Sequence, residues 1–181
     1  MIGHNERADT SGDEVILVDA DDVATGTMGK HEAHRLGLRH RALSVVLRDG
    51  AGQFLLQRRA AGKFHSGGLW TNTCCSHPRP GEDIVDAAVR RLGEEMGIVC
   101  PLAFCFATHY RAPVSNGLIE DEIVHVFVGR FEGAPHPDPP EVEGWRWMAP
   151  AEIEAALDAR PDDFTVWFRK LRQKFWAELT V

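Results

Sequence analysis

The sequence predicts one α/β domain in which a mixed sheet is packed against helices, and three observations predict it. With 181 residues and 44% hydrophobic content, the chain is long enough for one well-packed core and short for two. Short runs rich in Val, Ile, Leu and Phe recur between clusters of Gly, Pro, Asp and Asn, as strands do between turns. Among and after them lie segments with the helical period, one following Gly81 and two near the C-terminus. Strands with helices laid on them make a layered α/β sandwich.

Residues 1–12 are polar and aperiodic and read as a mobile tail, leaving 13–181 as a single domain. EVILVD, from Glu14 to Asp19, reads as a first strand, and DADDVATGTMGK as turn residues leading to Lys30. HEAHRLGLRH then brings in His34 and His40. ALSVVLRDGAGQFLLQRR reads as a hairpin around an Asp49 to Gly52 turn. The Gly-rich segment after it carries Arg59 and Lys63 and leads into Trp70.

Thr71 to Pro80 is too rich in Pro, Asn and Thr for a long helix, and in an extended backbone Cys75 and His77 point the same way. From Gly81 the chain reads as a helix. Glu82 and Asp83 suit its N-terminus, Val85, Ala88, Val89, Leu92 and Met96 form its apolar stripe, and Gly97 stops it. At about 100° per residue, Arg91 and Glu95 fall one turn apart on the shoulder of that stripe, and Glu94 falls nearly opposite. Leu102 to Tyr110 and Leu118 to Phe131 read as strands, GWRWM as another, and EGAPHPDPPEVE as a Pro-rich loop. Pro150 and Asp162 mark two final helices, the second with apolar positions at Phe164, Trp167, Phe168, Leu171, Phe175 and Leu179.

A net charge of −7 and a pI near 5.7 argue against nucleic acid or an anionic membrane surface as partner, while allowing a local basic pocket. No run approaches the ~18 apolar residues of a membrane span, the start has no signal-peptide pattern, and four cysteines form neither a zinc pattern nor a disulfide framework. The expectation is a cytoplasmic protein, without membrane insertion.

Two groups of side chains carry candidate chemistry. Glu120 and Glu122 lie two apart in a strand, so their carboxylates share one face and Asp121 takes the other; they are either a metal site or a solvated pair. With His34, His40 and His77 they make a nitrogen and oxygen set suited to a divalent ion. Trp167, in the stripe of a terminal helix, reads by itself as core.

The spacing of Glu82, Arg90, Leu92, Glu94, Glu95, Gly97 and Ile98 fits a loosened Nudix box, with Ser76 where a Gly is usual and Arg91 where a Glu is usual. Combined with TNTCCSHP, HYRA and EDE, it resembles the type 1 isopentenyl-diphosphate isomerases over nearly the whole chain after residue 12. The resemblance implies a Nudix-like fold with additional N- and C-terminal elements, and interconversion of isopentenyl and dimethylallyl diphosphate by an allylic proton shift in isoprenoid biosynthesis. It implies one divalent ion, Mg²⁺, Mn²⁺ or Zn²⁺, on His34, His40, His77, Glu120 and Glu122, and a second, Mg²⁺ entering with the diphosphate, on Glu95. It assigns proton transfer to Cys75 and to Glu122 with Tyr110, and the hydrocarbon pocket to Trp70 and Trp167; Lys30, Arg59, Lys63 and Arg91 are the local cations expected to clamp a diphosphate in an acidic protein. The partner implied is a small diphosphate, bound by a monomer or weak homodimer. The rivals are a Nudix diphosphate hydrolase, which ordinarily has Glu at the Arg91 position and no need of Cys75, and a module that binds a diphosphate without turnover.

Overall fold

The structure, a computed structural model, describes residues 14–179; the 1–12 segment read as a tail lies outside the described residues. Nine strands form one sheet among them: β1 (Glu14–Val18), β2 (Ala24–Gly29), β3 (His40–Arg48), β4 (Phe54–Arg59), β5 (Trp70–Thr71), β6 (Cys74–Ser76), β7 (Leu102–Pro113), β8 (Ile119–Arg130) and β9 (Val142–Met148). The helices are α1 (Lys30–Leu36), α2 (Ile84–Met96), α3 (Pro150–Ala159) and α4 (Val166–Leu179).

Strand β3 organises the sheet. One edge pairs in parallel with β8 from His40 opposite Glu122 to Arg48 opposite Arg130. The other edge is divided among β1 at His40, β6 at Leu43–Val45 and β4 at Arg48. Its apolar residues point to both sides because both faces are covered. Ala42 and Val46 meet Ile153, Leu157, Trp167, Phe168, Leu171 and Phe175 of α3 and α4. Leu43, Val45 and Leu47 meet Ala87, Ala88, Leu92 and Met96 of α2. Leu92 is fully buried, worth about 2 kcal/mol of apolar transfer. Ser44 is the polar break on the α4 side, and there the core opens into a cavity.

Helix α2 has the ends its sequence calls for. The Asp83 carboxylate accepts from the backbone N–H groups of Val85 at 2.8 Å and Asp86 at 3.4 Å. Gly97 closes the helix at φ +64°, where a side chain is strained, and a Cβ there would also lie 2.4 Å from the His136 carbonyl. That carbonyl belongs to the Pro-rich loop, whose His136 N–H donates to the Met96 carbonyl.

Several local expectations are corrected. Ala24–Gly29, read as turn residues, pairs with β1; its polar composition suits an exposed edge strand. HEAHRLG forms α1. The expected hairpin of β3 and β4 shares one residue pair, Arg48 with Phe54, because β6 takes that edge of β3 at Leu43–Val45 and β5 takes the facing edge of β4 at Gln57 and Arg58. Val85 is 40% exposed and Ala87 takes its place in the buried face. The last helix starts at Val166, and Pro161–Asp163 form a separate 3₁₀ turn. The side chain of Leu179 lies outside the described residues.

Candidate active site and metal centre

Helix α1 supplies His34, the first residue of β3 supplies His40, and the chain just past β6 supplies His77, while β8 supplies Glu120 and Glu122 and β7 supplies Tyr110. His34 Nδ1 lies 2.7 Å from the Lys30 carbonyl and His40 Nδ1 lies 2.8 Å from the Leu38 carbonyl. A carbonyl can only accept, so each Nδ1 carries the proton and each Nε2 is left with its lone pair. Both Nε2 atoms are buried and have no hydrogen-bond partner. Ligand atoms of His34, His40, His77 and Glu122 lie within 4.8 Å of one another. Bare, buried, correctly tautomerised nitrogens facing a carboxylate fit a divalent ion, with the carbonyls as the outer partners that orient the rings. Burial lowers the imidazole pKa to about 4 at His34 and about 3 at His77, which keeps them neutral as ligands must be.

The pair expected on one face of β8 does share it. Glu120 and Glu122 are 4% and 5% exposed, and the Tyr110 hydroxyl lies against both, donating to Glu122 Oε2 at 2.6 Å. Burial, then the charge of Glu122, raises the Glu120 carboxyl, whereas the two imidazoles facing Glu122, His40 at 3.4 Å and His77 bonded at 3.0 Å, hold its carboxyl low against burial. Glu120 also meets a residue the sequence reading missed: His65 Nε2 lies 3.1 Å from its Oε1. The signal available was a lone His inside the Gly-rich GKFHSGG segment, which no local period distinguishes.

Cys75, Tyr110, Glu120, Glu122, His77, His65 and Trp167 line one cavity with Lys30, Arg59, Lys63, Arg91 and Glu95; His34 and His40 lie buried behind the carboxylates. Cys75 Sγ donates to Asn72 Oδ1 at 3.0 Å and lies 3.4 Å from Ser44 Oγ. Burial pushes its thiol up to about 11, so it is protonated near neutral pH. Cys74 alternates to the α2 side and is fully buried. Trp167 Nε1 donates to Thr71 Oγ1 at 2.9 Å, which aims one edge of the ring, and Arg59 lies over its face at 5.2 Å. Trp70 lies beside this cavity rather than in its lining, packed against the cluster that holds Trp167. It pairs with Arg58 in β5, accepts from the Thr165 N–H and carries Arg146 4.0 Å from its ring centre.

At the opposite wall Arg91 Nη2 donates to Glu95 Oε1 at 2.7 Å and reaches Glu141 Oε1 at 3.5 Å, while Lys63 pairs with Glu141. Glu95 is 2% exposed and Glu94 is on the solvent side, as the helical wheel requires. The remaining box residues are structural: Arg90 binds Glu82 at 2.6 and 2.8 Å and reaches Glu94, tying the loop before α2 to its outer face.

This fold with its acidic helix defines a Nudix protein, and the family model described as NUDIX domain matches residues 38–168. Solved structures with the same fold include a MutT protein of Methanosarcina mazei, with a TM-score of 0.63 at 19% identity over 76% of this chain and 92% of that one. Similar at higher identity are an isopentenyl-diphosphate Delta-isomerase of Burkholderia multivorans, 54% identical over 86% of this chain and 89% of its own length, and isopentenyl-diphosphate Delta-isomerase 1 of Aromatoleum aromaticum, 53% identical over 86% and 88%. The chain belongs to the isopentenyl-diphosphate Delta-isomerase family within the Nudix domain proteins.

Proposed function

We propose that this cavity is where the chain carries out its reaction, the interconversion of isopentenyl and dimethylallyl diphosphate, with Cys75 and the Tyr110–Glu122 pair as the two proton-carrying groups. The observation that carries this reading is their placement. Cys75 lies on β6 and Glu122 on β8, the strands flanking the two edges of β3, and both side chains face the same cavity. Two strand spacings, about 10 Å, separate those backbones, enough for a five-carbon chain between the side chains.

The allylic shift requires a proton delivered to the terminal alkene carbon, a tertiary cation at the next carbon, and a proton removed from C2 to form the new double bond. One proton is gained and one lost, so the hydrocarbon needs a group on each side. Cys75 offers a thiol that burial keeps protonated. Opposite it, Tyr110 holds its proton between Glu120 and Glu122, a short relay for giving or taking one. Trp167 closes the hydrocarbon end, where a π face stabilises positive charge and excludes water. Arg59, Lys63, Arg91 and Lys30 surround the polar end and suit a diphosphate.

His34, His40, His77, Glu120 and Glu122 would hold one divalent ion, and Glu95 an Mg²⁺ that enters with the diphosphate. Such ions supply fixed positive charge that keeps Glu122 anionic and neutralises the phosphate oxygens. The ligand set suits Mg²⁺, Mn²⁺ or Zn²⁺. No helix among the described residues is long and apolar enough to cross a membrane, and the reading is completed by a cytoplasmic enzyme acting as a monomer or weak homodimer.

The test is NMR of the purified protein with isopentenyl diphosphate and Mg²⁺ in D₂O. Deuterated dimethylallyl diphosphate without released phosphate is the expected result; phosphate release would assign a hydrolase instead. The Glu-to-Arg change at Arg91, which removes a carboxylate from the box, favours the former.

A further inference from the structure

We propose that His65 is a positioning residue of the metal centre: its Nε2–H holds one oxygen of Glu120 while Tyr110 holds the other, fixing how that carboxylate faces the ion. The inference rests on the reading of Glu120 as a metal ligand. His65 Nε2 is 3.1 Å from Glu120 Oε1, and the Tyr110 hydroxyl donates to Glu120 Oε2. With both oxygens pinned, the carboxylate cannot rotate about its terminal bond.

The imidazole is held as firmly as its partner. His65 is 4% exposed, with Nδ1 3.2 Å from Ser66 Oγ and its ring edge-on to Trp167 at 5.8 Å. Its carbonyl accepts from Arg59 Nη2 at 3.2 Å. Ser66 adopts φ +53°, a left-handed conformation that a serine takes at a cost. The 115–117 turn joining β7 to β8 holds this backbone: Ser66 N–H donates to Ser115 Oγ at 2.8 Å, and Asn116 Nδ2 donates to the Phe64 carbonyl at 2.7 Å. The hairpin that carries Tyr110 and Glu120 therefore also fixes, through its tip, the histidine that bonds to Glu120.

His65 differs from the neighbouring ligand candidates in its nitrogens. His34 and His40 each have one nitrogen on a backbone carbonyl and a bare buried Nε2, whereas both nitrogens of His65 have polar partners within the protein. In that arrangement the imidazole acts as an outer partner that orients the Glu120 carboxylate toward the ion.

The experiment compares the wild type with His65→Ala, His65→Gln and Ser115→Ala. Zn²⁺ affinity is measured by competition with a chelator, and kcat and KM are measured at saturating metal. Outer partners of this kind change metal affinity by about 10–100-fold. His65→Ala is expected to show that loss, and His65→Gln, whose amide N–H can still reach Glu120, to recover most of it. Ser115→Ala, which touches neither the cavity nor a ligand, is expected to show a smaller loss in the same direction, and it decides the matter if circular dichroism shows His65→Ala to be unfolded. Unchanged affinity in His65→Ala, or a loss in His65→Gln equal to that in His65→Ala, overturns the proposal. Failure of the wild type itself to bind Zn²⁺ overturns the metal-centre reading beneath it, and is read separately from the variants.

Discussion

Tyr110 and Glu122 are a directly opposed pair across the β7–β8 ladder, and the phenol donates to Glu122 Oε2 at 2.6 Å. Period-2 alternation brings Glu120 to the same face, so one hydroxyl proton is shared between two buried carboxylates. Burial and the neighbouring carboxylate charges raise the Tyr110 pKa well above its ordinary value, so the phenol stays protonated. Tyr110→Phe is expected to lower kcat by about 10²-fold or more, while metal content stays near that of the wild type. An undiminished kcat would remove the phenol from the relay.

Cys75 has a thiol pushed up to about 11 by burial, outweighing its bonds to Ser44 and Asn72. At pH 8 that leaves on the order of one thiol in a thousand ionised. Alkylation by iodoacetamide, followed by mass spectrometry at residue 75, is therefore expected to be slow at neutral pH and to rise toward pH 11. Cys75→Ala is expected to lose about 10²-fold or more in turnover with metal retained. Fast alkylation at pH 7 would show a thiolate at rest.

The metal-free protein is expected to lose stability as pH falls from about 6.5 to 4. Burial lowers the imidazoles of His34, His77 and His65 to about 4, 3 and 2, so in that window the unfolded chain binds protons that the folded chain refuses. The stability is fully present above the unfolded value, and each imidazole costs on the order of 2 kcal/mol at pH 5. Glu120, raised by burial and by Glu122, opposes the trend with one proton, and the three imidazoles outweigh it. Urea midpoints in chelator at pH 7 and pH 5 measure the difference; equal midpoints would contradict neutral buried imidazoles.

Arg91→Gln is expected to act on the diphosphate end of the cavity, where Arg91 adjoins Glu95. Arg91 is shared between Glu95, Glu94 and Glu141, and its loss removes a charge-assisted donor worth about 1.5–3 kcal/mol. KM for isopentenyl diphosphate should rise about 10–100-fold with a much smaller change in kcat. A fall in kcat with KM unchanged would place Arg91 in the chemical step.

Much of the site was legible because its signals are local. The Arg91–Glu95 contact follows from the helical period, and the shared face of Glu120 and Glu122 from strand alternation. The helix stripe was shifted at its start, where Val85 is exposed, because which residues are buried at a helix end depends on what the chain beside it covers. The polar edge strand β2 was illegible for a related reason: its residues have no apolar alternation, and pairing with β1 supplies its order.

By itself the sequence determined most of the strands and the later helices, the α2 ends, the shared face of Glu120 and Glu122, and through its motifs the family. Only the tertiary structure decided what those side chains meet. The parallel register of β3 with β8 sets His40 opposite Glu122, the grip of Ser115 and Asn116 on residues 64–66 delivers His65 to Glu120, and the docking of Thr165 on Trp70 accompanies a ring that faces Arg146 rather than the cavity. These contacts join residues tens of positions apart. They are set by burying both faces of β3 at once, a condition on the whole fold that no period of 2 or 3.6 residues can encode.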